Sequence, residues 1–217
     1  MVKAVIFDMD GTVVDTLQSI AYFANKALEK YALPTIPTET YKILIGNGIK
    51  NLVHKMIECV GGTPEQETAV YAEYKEDYEN NFLYLAEPYA GVMKMLEDLR
   101  SAGIRTGILS NKPDSTTKKI SAALFGNLID TTYGGREGIP LKPDPQALIA
   151  LLEEWDLRPE DCLYVGDTGT DMLVGKAAGM FSVGVLWGFR GEEELRKNGA
   201  DAIVSTPDQI VQIALSH

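Results

Sequence analysis

The chain has 217 residues, of which 45% are hydrophobic and 24% charged, and its 31 acidic against 20 basic residues give a formal charge of −11. This composition excludes disordered and fibrous classes and leaves enough chain for one or two compact domains. The charge argues against nucleic acid and anionic membrane surfaces, both of which need a basic face. An anionic substrate would have to be small and held locally by a metal, a lysine or backbone N–H groups.

The first element is the apolar run Ala4-Val5-Ile6-Phe7, which predicts a strand covered on both faces. It is too short for a signal peptide, and nothing approaches the roughly 18 apolar residues of a membrane span. A soluble, cytoplasmic protein is expected. Cys59 and Cys162 lie outside any C-x-x-C spacing and are expected as two buried, reduced thiols.

From Thr16 to about Leu85 the pattern is wholly helical. One face comprises Ile20, Phe23, Ala24, Ala27, Leu28 and Tyr31, a second Ile49, Leu52, Val53, Met56 and Ile57, ended by Gly61-Gly62. A third comprises Tyr71, Tyr74, Tyr78, Phe82 and Leu85, with Glu73, Glu76, Asp77 and Glu79 as its solvated side. After Pro88 strands and helices alternate: a helix over Val92–Leu99, a strand over Ile104–Leu109, a helix ending near Leu124 and a strand over Ile129–Tyr133. A helix after Pro145 and strands at Cys162–Val165, Ser182–Leu186 and Ala202–Val204 complete the series. Such alternation predicts an α/β fold with a doubly wound, parallel, Rossmann-like sheet. Residues 1–14 and 88–217 would form this domain, and residues 15–87 an inserted small helical domain.

Sites in open parallel sheets lie at the carboxyl ends of strands, so the residues leaving each strand matter most. These are Asp8-Met9-Asp10-Gly11-Thr12, Ser110-Asn111-Lys112 and Gly166-Asp167-Thr168-Gly169-Thr170-Asp171, with Lys142-Pro143-Asp144-Pro145 before a helix. Taken singly, each has a bland explanation: an Asp-Gly turn, a helix cap at Ser110 or Asp167, a surface lysine at 142. Together they do not, because carboxylates at the ends of buried strands are costly unless paired or metal-bound. The Asp8–Gly11 spacing fails as a calcium loop, and no Gly-x-x-x-x-Gly-Lys-Ser/Thr phosphate loop is present.

In order, Asp8-x-Asp10-Gly11-Thr12, Ser110-Asn111, Lys142-Pro143 and Gly166-Asp167-x-x-x-Asp171 resemble the four motifs of the haloacid dehalogenase superfamily. The helical insertion resembles its small cap. Asp15-Thr16, Gly46-Asn47-Gly48, Pro88-Tyr89-Ala90-Gly91-Val92 and Lys142-Pro143-Asp144-Pro145 look most like the phosphoglycolate phosphatase branch. The resemblance implies Asp8 as a nucleophile toward phosphorus, Asp10 as general acid and base, and Ser110 with Lys142 on the phosphoryl oxygens. Hard Mg2+ suits an oxygen site, with Asp8, the Asp10 carbonyl and Asp167 as ligands and Asp171 beside them. Backbone N–H groups around Met9, Gly11 and Asn111 would hold phosphate. In the cap, Asn47, Gly48 and Lys50 would grip the far end of substrate, although the Gly46–Gly48 loop also has a purely geometric explanation; Arg190 is a further candidate. His54 and His217 have no partner for a Ser–His–Asp triad or a zinc site and are expected to be solvated.

The expected activity is Mg2+-dependent hydrolysis of a small phosphomonoester, 2-phosphoglycolate being favoured, by a monomer or homodimer. A β-phosphoglucomutase-like phosphotransferase, an inorganic pyrophosphatase and a broad sugar-phosphate phosphatase share these motifs. A phospho-aspartate receiver domain and a silent binding module are alternatives of another class. A receiver would place its phosphoacceptor after the third strand, where Tyr133-Gly134-Gly135 stand.

Overall fold

The computed structural model describes residues 2–217, which divide into two compact units, residues 2–15 with Pro88–His217, and Thr16–Glu87. The first unit carries a six-stranded sheet: β1 Ala4–Phe7, β2 Arg105–Pro113, β3 Thr131–Gly135, β4 Cys162–Gly166, β5 Phe181–Val185 and β6 Ala202–Val204. Its order is β3-β2-β1-β4-β5-β6 and every neighbouring pair is parallel. The doubly wound α/β fold expected from the alternation is therefore the one observed.

Winding reverses between β1 and β4, and a reversal opens a crevice at the carboxyl ends of those two strands. Phe7 lies opposite Ile108 on β2 and Val165 on β4. Asp8, Ser110 and Asp167 therefore leave the sheet within two residues of one level. All four residues of β1 are fully buried, which the run without polar residues requires. Ala4 and Ile6 pack with Leu148, Leu151, Leu152 and Trp155 in one apolar layer.

The second unit holds α1 Leu17–Lys30, α2 Tyr41–Leu44, α3 Gly48–Val60 and α4 Pro64–Asn80. Two details of its helices differ from expectation. Glu73 and Asp77 are not simply solvated: Lys26 pairs with Asp77 at 2.7 Å and Lys30 pairs with Glu73, so these acids line the seam between α4 and α1. They sit one position from Tyr74 and Tyr78, and Phe23 meets the Tyr78 ring at 5.7 Å in that seam. The helix α4 also ends before Phe82 and Leu85. Asn81 donates from its side chain to the Asp77 carbonyl at 2.9 Å, competing with helix continuation, and Leu85 adopts φ +54° with 51% exposure. Gly46, Asn47 and Gly48 have φ of +134°, +56° and +84°, a run only glycine and asparagine adopt readily.

Helices of the sheet unit are α5 Val92–Ser101, α6 Asp114–Phe125, α7 Gln146–Glu154, α8 Gly169–Ala177, α9 Glu192–Lys197 and α10 Pro207–Ser216. Strand β2 runs past the predicted end at Leu109 to Pro113. Leu109 pairs with Tyr133 and Pro113 with Gly135, so Ser110-Asn111-Lys112 stand opposite Gly134 alone. Bulges of this kind re-aim side chains near functional sites. Both cysteines are free, but Cys59 is exposed; only Cys162 matches the buried thiol expected. No helix among the described residues is long and apolar enough to cross a membrane.

Candidate active site

Asp8 is fixed where β1 ends, its N–H donating to the Val165 carbonyl at 2.8 Å. Its Oδ1 accepts the Met9 N–H at 2.7 Å and the Lys142 ammonium at 2.8 Å. Oδ2 takes no hydrogen bond among the described residues. The same ammonium reaches Asp171 Oδ1 at 2.7 Å and the Tyr164 hydroxyl at 3.2 Å. Asp8, Asp167 and Asp171 are all buried and each offers a carboxylate oxygen within 4.8 Å of the others. Beside them Lys112 Nζ pairs with Asp10 Oδ2 at 3.1 Å. Four carboxyl groups thus face two ammonium groups, a formal surplus of two negative charges in a buried place.

The electrostatics follow from that surplus. Burial first, then the charge of Asp171, pushes the Asp8 carboxyl up to about 7 despite Lys142. Asp167 is held well above the usual carboxylate range by burial and by Asp171 and Asp8. Burial alone would lower Lys142, but Asp171 and Asp8 outweigh it and keep the ammonium charged.

Such a set of hard oxygen donors fits a divalent cation of the Mg2+ or Ca2+ kind. The donors are not equivalent. Asp171 Oδ1 is engaged by Lys142 and the Tyr164 hydroxyl, and Oδ2 by the Thr168 N–H at 3.0 Å and Oγ1 at 2.6 Å. Four contacts fill the roughly four lone-pair positions of a carboxylate. Asp167 has one contact on each oxygen, from Thr12 Oγ1 at 3.0 Å and the Phe189 N–H at 2.7 Å. Asp8 and Asp167 therefore keep lone pairs for a metal, whereas Asp171 is spent on Lys142 and its own loop.

The other predicted contributors are placed as follows in the described residues. The Met9 N–H donates to Asp8 Oδ1 and the Gly11 N–H to the Val14 carbonyl at 3.0 Å. Asn111 acts here through its side chain: Oδ1 accepts the Lys142 N–H at 2.8 Å and Nδ2 donates to the Lys142 carbonyl at 3.0 Å. That two-way clamp sets the backbone from which Lys142 reaches Asp8. Ser110 is buried and its Oγ accepts the Lys112 N–H at 3.2 Å. Asn47, Gly48 and Lys50 lie in the helical unit at the start of α3. Arg190 pairs with Glu194 at 3.3 Å. His54 and His217 are both exposed, as expected; His54 pairs with Glu67 at 3.2 Å, and the His217 ring lies 4.5 Å from that of Phe181.

The sequence places Thr12 and Lys112 at strand ends but assigns them no role, and it does not single out Tyr164 or the loop Trp187-Gly188-Phe189. Trp187 Nε1 donates to the Thr12 carbonyl at 2.9 Å, and Phe189 supplies the N–H to Asp167. Between them Gly188 touches Asp167 and the Gly11 carbonyl so closely that any Cβ would overlap both. Gly11 has φ +84° and is pressed against the Asp167 carboxylate in the same way. The glycine after Trp187 was the available signal, since a close backbone approach is what glycine permits.

Comparison with known proteins shows the family and the fold. The family profile of haloacid dehalogenase-like hydrolases matches residues 5–185. The chain is 31% identical over 207 residues to a phosphoglycolate phosphatase of Nitrosospira multiformis, covering 94% of this chain and 91% of that one. It is 29% identical to a phosphoglycolate phosphatase of Aquifex aeolicus, covering 99% and 98%. Among solved structures, a Lactobacillus delbrueckii subsp. bulgaricus protein provisionally assigned as a phosphoglycolate phosphatase superposes with a TM-score of 0.93 at 26% identity, over 99% of both chains. Its ordered motifs, its winding and a family match spanning most of its length make this chain a member of the haloacid dehalogenase-like hydrolase family.

Proposed function

We propose that this chain is a Mg2+-dependent phosphatase that hydrolyses a small phosphomonoester through a phosphorylated Asp8. The observation that carries the reading is a buried Asp8 with one oxygen free of hydrogen bonds, set in a cluster whose negative charge exceeds its lysines by two. Such a cluster repels a phosphate dianion unless a cation joins it. Asp8, Asp167 and the Asp10 carbonyl would hold Mg2+, which would neutralise charge on the phosphoryl oxygens.

The chain's own residues would then divide the work. Asp8 Oδ2 attacks phosphorus as the bond to the leaving oxygen breaks, and Asp10 passes a proton to that oxygen. In the second half, water gives a proton to Asp10 and attacks the same phosphorus, releasing phosphate and restoring Asp8. Ser110 and Lys142 hold the phosphoryl oxygens, with Asn111 and Tyr164 setting where Lys142 reaches. Residues 15–87 would act as a cap whose Asn47, Gly48 and Lys50 meet the far end of the substrate. The relatives named above favour 2-phosphoglycolate as that substrate. A monomer or homodimer working in the cytoplasm on a small phosphorylated metabolite fits the net charge of −11.

The test is phosphate release from a panel of phosphate esters with Mg2+. Release of inorganic phosphate from 2-phosphoglycolate in preference to sugar phosphates is expected. Pyrophosphate as the preferred substrate, or turnover that needs a sugar bisphosphate primer and releases none, would replace this reading. Asp10→Asn is expected to lower kcat/KM at least about 10²-fold, the lower end of general acid–base assistance. An unchanged rate would place the proton elsewhere. Mg2+ at about 100 times its Kd should stabilise the fold by about 2.7 kcal/mol. For a chain of this size that is a melting point higher by about 5–10 °C in a thermal shift assay.

A further inference from the structure

We infer that Lys112 is a positioning residue that holds the Asp10 side chain where its carboxyl group gives a proton to the leaving oxygen and, as carboxylate, takes one back from water. The inference rests on the proposed role of Asp10 as proton donor. Lys112 Nζ lies 3.1 Å from Asp10 Oδ2, and the two side chains are only 7% and 13% exposed. A surface pair of this kind is worth little, and a buried one costs desolvation that its own attraction hardly offsets. Its worth is therefore in geometry rather than stability.

The surroundings build that geometry from the backbone outward. Lys112 donates its N–H to Ser110 Oγ at 3.2 Å and accepts at its carbonyl from Thr117 Oγ1 at 3.1 Å. Opposite it, Gly134 leaves room for that carbonyl, which would stand 2.7 Å from a Cβ at this position. The register shift between Leu109 and Pro113 spaces Ser110 and Lys112 outside the regular ladder. One irregularity in β2 thus serves both halves of the chemistry: Ser110 for the phosphoryl group, Lys112 for the acid that meets the departing oxygen. Rotation of Asp10 about its side-chain bonds is what the ammonium prevents.

Two substrates with different leaving groups separate this role from a grip on phosphate. An alkyl phosphate departs as an alkoxide that must be protonated, whereas 2,4-dinitrophenyl phosphate departs as a stable phenolate that needs no proton. Lys112→Met should lower kcat/KM at least about 30-fold on the alkyl ester, less than the roughly 10²–10⁴-fold of a lost general acid because Asp10 itself remains, and under about 3-fold on the dinitrophenyl ester. Lys112→Gln should show the same selectivity, and Lys112→Arg should recover most of the alkyl-ester rate. Equal loss on both substrates would make Lys112 a phosphate ligand or a structural residue and would overturn the inference, as would no loss on the alkyl ester. Asp10→Asn serves as the reference. If it is selective and both Lys112 variants are not, only the Lys112 inference falls. If Asp10→Asn is itself unselective, the proton-donor reading falls and takes the inference with it.

Discussion

Replacing Asp8 with Asn is expected to stop turnover while leaving the metal-free fold at least as stable as before. An amide cannot serve as the oxygen nucleophile, and no other side chain occupies that place at the end of β1. The expected loss in kcat is at least about 10⁴-fold, within the range seen when a covalent nucleophile is removed from other enzymes. Stability should behave differently from activity. Asn keeps the size of Asp8 and its Oδ1 can still accept from Met9 N–H and Lys142, whose ammonium retains Asp171. What disappears is a buried negative charge that Asp171 opposes. A thermal melt in chelator should therefore show an unchanged or higher melting point, and the gain on adding Mg2+ should shrink. Turnover within about tenfold of the parent would end the covalent route.

The winding of the sheet was legible because its causes are local: unbroken apolar runs for strands buried on both faces, and helices between them that force parallel crossovers. The acids ending β1 and β4 stood out for an energetic reason, since a chain does not place Asp8 and Asp167 at the mouths of buried strands without something to neutralise them. Pairings made across the structure were not legible. Lys112 meets Asp10 only because β2 loses register after Leu109, and no spacing in the sequence announces that shift. The Phe189 contact to Asp167 is made by a backbone N–H, which any residue but proline would supply. Asn111 was read for its main chain, yet its side-chain amide has the two-way donor and acceptor character that clamps Lys142. Glu73 and Asp77 misled for a related reason: helical periodicity assigns a face, but the neighbouring helix decides whether that face meets water or lysines.

Lys142→Met should damage both activity and the metal-free fold, in contrast to Asp8→Asn. Met approximates the length of the lysine stem and removes the one ammonium shared by Asp8 and Asp171. Breaking a buried pair from one side typically costs about 3–5 kcal/mol, because the charges left behind have no partner. For a chain of this size that corresponds to a melting point lower by roughly 6–20 °C in chelator. Activity should fall about 10²–10³-fold or more, the scale of losing one preorganised contact to developing charge. Metal binding should go the other way. With Lys142 gone the cluster carries three surplus negative charges instead of two, so Mg2+ should bind at least as tightly and raise the melting point more than it does in the parent. Calorimetric titration and paired melts with and without Mg2+ would read both effects. A variant as stable as the parent in chelator would show that Asp8 and Asp171 are neutralised without Lys142. A variant that loses Mg2+ along with turnover would remove charge surplus as the reason the site takes a cation.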